Sequence, residues 1–324
     1  MARSSFGASL PILAWLSLCA AGCGGSAAAA APTQGINACT RSTTPPPRFG
    51  FAVLGSGGPR GFGRGASGYV VFVDGFARIL IDAGPGAFVR LGEMDVDFRR
   101  LDTILLTHLH IDHSGDLPGV VKSRDLTFDA ALTFHIFGPG AGGDYPSTTA
   151  FVDRLFGAQG AFAYLAKFRN PLTLDAVDLP TAQDQPVHEI FREGPLIVTS
   201  IAVDHDGVPA VAYRVAYGPR AVVVTGDLAS KNDNMIRFAE SADLLVYDTA
   251  VLDPPASPAP LYELHTPPKR IGEVAALAHV KSLLLSHIPP AVDQAKDEVL
   301  RSVHAAYGGH VTFASDCMRI DLTD

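Results

Sequence analysis

The chain has 324 residues and a formal net charge of −8. Adjacent basic residues occur only as Arg99-Arg100 and Lys269-Arg270. The basic stripe of a polyanion-gripping protein is therefore missing, and nucleic acid is not an expected partner. Four cysteines without a Cys-x-x-Cys pair speak against a thiolate zinc site or a redox motif.

The chain opens with the basic stretch Met1–Arg3, followed by the uncharged apolar run Leu10–Ala21. That run is too short to cross a bilayer, which takes roughly 20 residues, and it has the length of a signal-peptide core. The small residues Ala20-Ala21-Gly22 before Cys23 resemble a bacterial lipoprotein signal, with Ala20 where leucine is more usual. In that reading Cys23 becomes a lipidated N-terminus, anchored in the periplasm or at the outer membrane. The alternative is ordinary cleavage after the Ala-rich tract and secretion. Gly24–Pro47, rich in Ala, Ser, Thr and Pro, has little bulky apolar surface to offset the entropy of ordering and reads as a disordered tether. The expected division is a signal peptide over 1–23, a linker over 24–47 and one α/β domain over 48–324. Export would permit a disulfide between Cys39 and Cys317, but spacing alone leaves that open.

Within the domain Phe49–Leu54 reads as a strand, followed by a Gly-rich turn over 55–65. Tyr69–Val73 and Arg78–Asp82 read as a hairpin about Asp74-Gly75. Phe88–Leu91 suggests a short helix and Ile104–Leu106 a buried strand. Leu132–Phe137 is a strand, and Thr148–Lys167 has helical spacing. Ile197–Val203, Ala210–Val215 and Ala221–Thr225 read as strands, Met235–Ala239 as a helix and Leu244–Tyr247 as a strand. Arg270–Ala278 is a predicted helix begun by Pro267-Pro268. The strand Leu283–Ser286, the helix Val292–Ala306 and the strands Val311–Phe313 and Met318–Leu322 complete the chain. Two β-rich runs with strand–helix alternation between and after them suggest two sheets with helices outside, a four-layer αββα sandwich.

The segment carrying most chemistry is Thr107-His108-Leu109-His110-Ile111-Asp112-His113. An apolar strand leads straight into it. His108 and His110, two apart at a strand end, project to one side, and Asp112 and His113 follow on the turn. Imidazole and carboxylate suit Zn2+, Mn2+ or Fe2+. These residues resemble the HxHxDH motif of the metallo-β-lactamase superfamily, and the resemblance runs from Phe49 to the C-terminus. Leu80-Ile81-Asp82-Ala83-Gly84 is similar to the upstream strand whose aspartate supports the metal loop. Val203-Asp204-His205-Asp206, with Pro209 and Tyr213-Arg214 beyond it, resembles the third-histidine segment in the form seen in tRNase Z, with Ala212 where glycine is usual. Thr225-Gly226-Asp227 resembles the segment of the bridging carboxylate, and Ser286-His287 the last ligand.

The resemblance implies two divalent cations. Zn2+ is the first expectation, with Mn2+ or Fe2+ as alternatives. His108, His110 and His205 would hold one, Asp112, His113 and His287 the other, and Asp227 would bridge. The cations would share a water whose pKa falls toward neutrality. Leu264-His265-Thr266 resembles the His-Ser-Thr segment of the tRNase Z and arylsulfatase-like branch. Val246-Tyr247-Asp248-Thr249 resembles that branch's His-Glu-Ala-Thr, with Asp248 where glutamate is usual. His265 and Asp248, with Asp112, are thus the expected catalytic residues, Asp248 orienting His265. Leu54–Gly58 also resembles this branch. Its loop runs into a hairpin rather than a helix, so it is no dinucleotide fingerprint; bordering the pocket and serving as a plain turn remain equal alternatives.

The expected reaction is hydrolysis of a small phosphodiester, phosphonate-type ester or sulfate ester. Lactone or thioester hydrolysis on the same core, a tRNase Z-like endonuclease, a mono-iron oxygen-dependent enzyme and a non-catalytic exported binding lipoprotein are the alternatives. Only 22 positions separate His205 from Asp227, which leaves no room for the tRNA-gripping arm that the resemblance would place there. The partners expected are a small-molecule ester, a membrane through the lipid on Cys23 and, as an open alternative, a second copy in a homodimer. His135, His188, His279, His304 and His310 are expected to be surface or structural. Phe151, Phe156, Phe162 and Tyr164 are expected as core residues or, alternatively, pocket lining.

Overall fold

The computed structural model describes Cys39 and residues 45–127 and 129–323. The leader, Cys23 and most of the tether lie outside the described residues.

Strands β1 (Phe49–Gly55), β2 (Gly68–Val73) and β3 (Phe76–Ala83) form an antiparallel meander. The β2–β3 turn puts Asp74 and Gly75 at φ 52° and 78°, the left-handed region that an Asp-Gly hairpin turn uses. The chain continues through α1 (Ala87–Glu93), β4 (Thr103–Leu105), α2 (Ile111–Ser114), α3 (Leu117–Thr127), β5 (Leu132–Pro139), α4 (Thr148–Phe156) and β6 (Leu172–Leu179). β4, β5 and β6 add in parallel to β3.

A second antiparallel run follows: β7 (His188–Glu193), β8 (Leu196–Val203), β9 (Ala210–Tyr217) and β10 (Arg220–Val224). Then α5 (Asn234–Phe238), β11 (Leu244–Asp248), α6 (Leu261–Leu264), α7 (Pro268–Leu277), β12 (Ser282–Ser286), α8 (Pro290–Gln294), α9 (Lys296–His304) and β13 (His310–Phe313) alternate. β11, β12 and β13 run parallel to β10. The last strand, β14 (Arg319–Asp321), returns to pair with β1. The sheet orders are β14-β1-β2-β3-β4-β5-β6 and β13-β12-β11-β10-β9-β8-β7.

The alternation of side chains along each strand builds the layers. Phe49, Phe51 and Val53 of β1 and Ile79 and Ile81 of β3 meet Val198, Tyr213, Val224, Val246 and Leu284 of the other sheet in a buried layer between the sheets. The intervening residues Ala52, Leu54 and Leu80 turn outward against α1, α3 and α4. Leu283 and Leu285 of β12 face α7 and α9 with Ile271, Val274, Val299 and Val303. Central strands such as Leu283-Leu284-Leu285 are buried on both faces, which is why they read as unbroken apolar runs. The αββα sandwich is the fold observed.

Several elements differ from expectation. The helix predicted over Thr148–Lys167 is two pieces: Gly157 is extended (ψ 175°), α4 stops at Phe156, and a 3-10 turn covers Ala163–Lys167. The helix predicted over Val292–Ala306 is interrupted at Ala295. Asp112 and His113 lie in a helical turn rather than an irregular one. The elements α3, α6, β6 and β7 were not anticipated. Pro118 and Gly119 mask α3, while β6 and β7 close the ends of the two sheets and expose half or more of their residues. Cys39 and Cys317 form a disulfide with Cα atoms 5.6 Å apart, tying the described N-terminal end to the approach of β14.

Candidate metal centre

In a sheet whose parallel strands point the same way, side chains just beyond the carboxyl ends share one edge. Here β4 leads to His108 and His110, β8 to His205, β10 to Asp227 and β12 to His287. All seven expected ligands converge. Imidazole nitrogens of His108, His110 and His205 lie within 4.8 Å of one another, as do ligand atoms of Asp112, His113 and His287.

Asp227 stands between the two groups. Its Oδ1 is 3.4 Å from Nε2 of His113, and its Oδ2 is 3.3 Å from Nε2 of His287 and 3.9 Å from Nε2 of His205. Oδ2 of Asp112 is 3.2 Å from Nε2 of His287. The two strand ends bearing Thr107 and Asp227 touch at Gly226: φ there is 60°, and a Cβ would fall 2.6 Å from that of Thr107. Glycine also lets the 55–65 loop lie on the centre, since a Cβ on Gly58 would fall 2.6 Å from Cε1 of His287.

The electrostatics suit a cation. Burial lowers the pKa of His108, His110 and His205, and so favours neutral rings with a free lone pair. Burial opposes charge on His113 too, but Asp227 and Asp82 outweigh it and raise its pKa well above the ordinary value. Among the described residues, Nε2 of His113, Nε2 of His205 and Oδ1 of Asp227 are buried without a hydrogen-bond partner. Orphaned buried donors and acceptors are costly. Three of them facing one another mark a place that a divalent cation would satisfy, so the donor set fits metal.

The distal ring nitrogens are held by neighbours. Nδ1 of His113 meets Oδ2 of Asp82 at 2.8 Å, and Asp82 also accepts from the backbone N–H and hydroxyl of Thr107 at 2.7 and 2.8 Å. Nδ1 of His205 donates to the Leu264 carbonyl at 2.9 Å. Nε2 of His110 meets the Tyr145 hydroxyl at 2.9 Å.

His265 closes the same space, its ring beside those of His205 and His287 with centroids 5.6 Å away. Its Nδ1 is 3.0 Å from Oδ2 of Asp248, so the aspartate reaches it from the end of β11. Burial works against a charged His265, yet the charge and hydrogen bond of Asp248 push its pKa up to about 9.

Sequence reasoning gave no role to three contributors, Thr107, Tyr145 and Lys231. Thr107 links Asp82 to the metal loop. Tyr145 is a lone aromatic in a turn-rich loop and gives no local signal. Gly58 belongs to the loop for which bordering the pocket and plain turn duty were equal alternatives, and it lies against His287. Lys231 bridges Asp204 and Glu263, neighbours of His205 and His265, at 3.1 and 2.8 Å. The histidines outside the motif, His135, His188, His279, His304 and His310, are exposed and away from the centre. Phe156 is buried, and Phe151 and Phe162 pack on the layer under α4, so they are core; Tyr164 is a surface residue.

A Beta-lactamase superfamily domain profile matches residues 77–288. A protein named Ribonuclease Z from Mycobacterium sp. (strain KMS) is 27% identical over 290 residues, covering 83% of this chain and 95% of its own. Among solved structures, the short form of human tRNase Z superposes with a TM-score of 0.66 at 22% identity, covering 85% of this chain and 100% of its own. The metallo-β-lactamase fold protein YhfI from Bacillus subtilis superposes with a TM-score of 0.63, also at 22% identity, covering 84% and 98%.

Proposed function

Since the chain belongs to the metallo-β-lactamase superfamily and is a metal-dependent hydrolase of ester bonds, we propose that it hydrolyses a phosphodiester or sulfate ester of a small molecule at a two-cation centre. His108, His110 and His205 would hold one cation and Asp112, His113 and His287 the other, with Asp227 placed between the two groups. Zn2+ is the ion best matched by this imidazole–carboxylate set, with Mn2+ or Fe2+ as alternatives. Bound there, the cations supply Lewis acidity and an activated water at neutral pH.

The observation that carries the reading is His265. The Asp248 carboxylate engages its Nδ1 and favours the imidazolium form. Nε2–H is then the free donor of a ring that lies beside Asp227 and His287. It can give its proton to a leaving-group oxygen or stabilise the charge developing there. Asp248 keeps the ring oriented with its Oδ2, which also accepts from the Leu228 N–H at 3.0 Å. A leaving alkoxide or phenolate of a phosphate or sulfate ester needs such a donor.

The test is a panel of chromogenic phosphodiesters, phosphonate esters, aryl sulfates and lactones with the full chain and His265→Ala. Phosphorus or sulfur esters should turn over, and the variant should lose about 10²–10⁴-fold in kcat with unchanged metal content. Good turnover of lactones alone, or a variant as active as wild type, contradicts the reading. The relatives named Ribonuclease Z favour a second reading, cleavage of an RNA phosphodiester. The net charge of −8 weighs against it, and a 3′-extended tRNA precursor left intact would dispose of it. Export and lipidation at Cys23 belong to the proposal as well: labelled fatty acid should enter the wild-type chain and not Cys23→Ala.

A further inference from the structure

We propose that Tyr145 is a positioning residue of the centre, holding the His110 ring so that its Nδ1 faces the cation site shared with His108 and His205. The inference rests on the two-cation reading above. A neutral imidazole has one N–H and one lone pair, and the partner of one nitrogen decides which of them the other presents. In His110 the two nitrogens have opposite surroundings. Nδ1 is 2.9 Å from Nε2 of His108, inside the cluster, and Nε2 is 2.9 Å from the Tyr145 hydroxyl. A phenol oxygen accepting the Nε2 proton leaves the Nδ1 lone pair for the cation.

His110 needs this more than its neighbours do. It is the one half-buried member of the seven; the other six are buried. Among the histidines of the same cluster, His108 has the Thr107 hydroxyl 3.1 Å from its Nδ1, and His205 has the Leu264 carbonyl. Tyr145 is the corresponding partner for His110, and the two rings meet edge to face with centroids 5.6 Å apart.

The phenol is presented by a braced turn. Tyr145 and Gly142 exchange backbone hydrogen bonds at 3.0 and 3.3 Å, and the Thr148 hydroxyl ties the far end to the Pro139 carbonyl at 3.0 Å. Gly142 lies so close to Pro209 that a Cβ would come within 2.8 Å of its ring. The turn therefore rests on the chain just beyond His205. It joins a ligand from one sheet to the flank of a ligand from the other.

The experiment compares Zn2+ binding by the full chain and Tyr145→Phe, using equilibrium dialysis against a competing chelator and nitrogen-15 spectra of the histidine rings in the loaded protein. Phenylalanine keeps the ring and removes the acceptor. One of the two ions should bind 10–100-fold more weakly, the other unchanged. The slowly exchanging Nε2–H of His110 should disappear from the spectrum, and the melting temperature of the metal-free protein should not move. Equal affinity for both ions with the Nε2–H signal intact overturns the proposal. So does a variant whose metal-free form melts lower and loses both ions alike, since that is a purely structural role. A wild-type chain that binds none of Zn2+, Mn2+ and Fe2+ defeats the function proposed above together with this inference. Failure of Tyr145→Phe alone leaves that function standing.

Discussion

Asp82 accepts three hydrogen bonds at the end of β3, from the N–H and hydroxyl of Thr107 and from His113. It does so with φ at 57°, a conformation that costs a non-glycine residue about 1–2 kcal/mol. Burial raises its pKa while His113 and Thr107 pull the other way. Asparagine is nearly isosteric but offers N–H groups where one oxygen now accepts. In Asp82→Asn, cation affinity should fall 10–100-fold and stability by about 1–3 kcal/mol. Chelator competition and denaturant melts check both, and an affinity equal to wild type would show that Asp82 does not steer His113. At this scale the sequence disclosed the candidate ligands, because HLHIDH packs four of them into six positions. It did not disclose Tyr145, which meets His110 only because a turn 35 residues away folds over it.

At the scale of elements, one carboxylate clamps the three strands that end in Asp227, Asp248 and His287. Asp243, buried just before β11, accepts from Nη1 of Arg220 at 2.9 Å, the Ala221 N–H at 2.8 Å and Nζ of Lys281 at 2.8 Å. Burial disfavours its charge, but Lys281, Arg220 and the Ala221 N–H outweigh that and hold its pKa below the ordinary carboxylate value. A depressed folded-state pKa means the stabilisation is complete above the unfolded pKa of about 4 and is lost as pH falls through the lower folded value. Wild type should therefore exceed Asp243→Asn by about 1–3 kcal/mol from pH 7 down to about 5, with the gap closing below about pH 4. Denaturant melts across that range measure it, and a gap independent of pH would exclude the clamp. Central strands were legible as apolar runs because both faces are buried. β6 and β7 were not, since a strand at a sheet end leaves half or more of its residues exposed and its composition resembles a loop.

At the scale of the molecule, the centre is a seam between halves. His108, His110, Asp112 and His113 follow strands of one sheet, while His205, Asp227 and His287 follow strands of the other. Cations bound across that seam would stabilise the folded state by mass action, about 2.7 kcal/mol at a hundredfold excess over Kd. Chelation should lower the melting temperature by on the order of 5–10 °C, and added Zn2+ should restore it. A melting curve indifferent to both would place the ions elsewhere or nowhere.

The sequence by itself determined the sandwich and the candidate ligands, the first through strand periodicity and apolar runs, the second through a motif at strand ends and its family resemblance. Tertiary structure alone decided what depends on approach between distant segments: that Cys39 bonds Cys317 across 278 positions, that Gly58 lies on His287, and that Tyr145 faces His110. Local propensity reports which way a side chain leaves its own backbone. It carries no information about which other backbone arrives opposite, because long-range packing sets that distance.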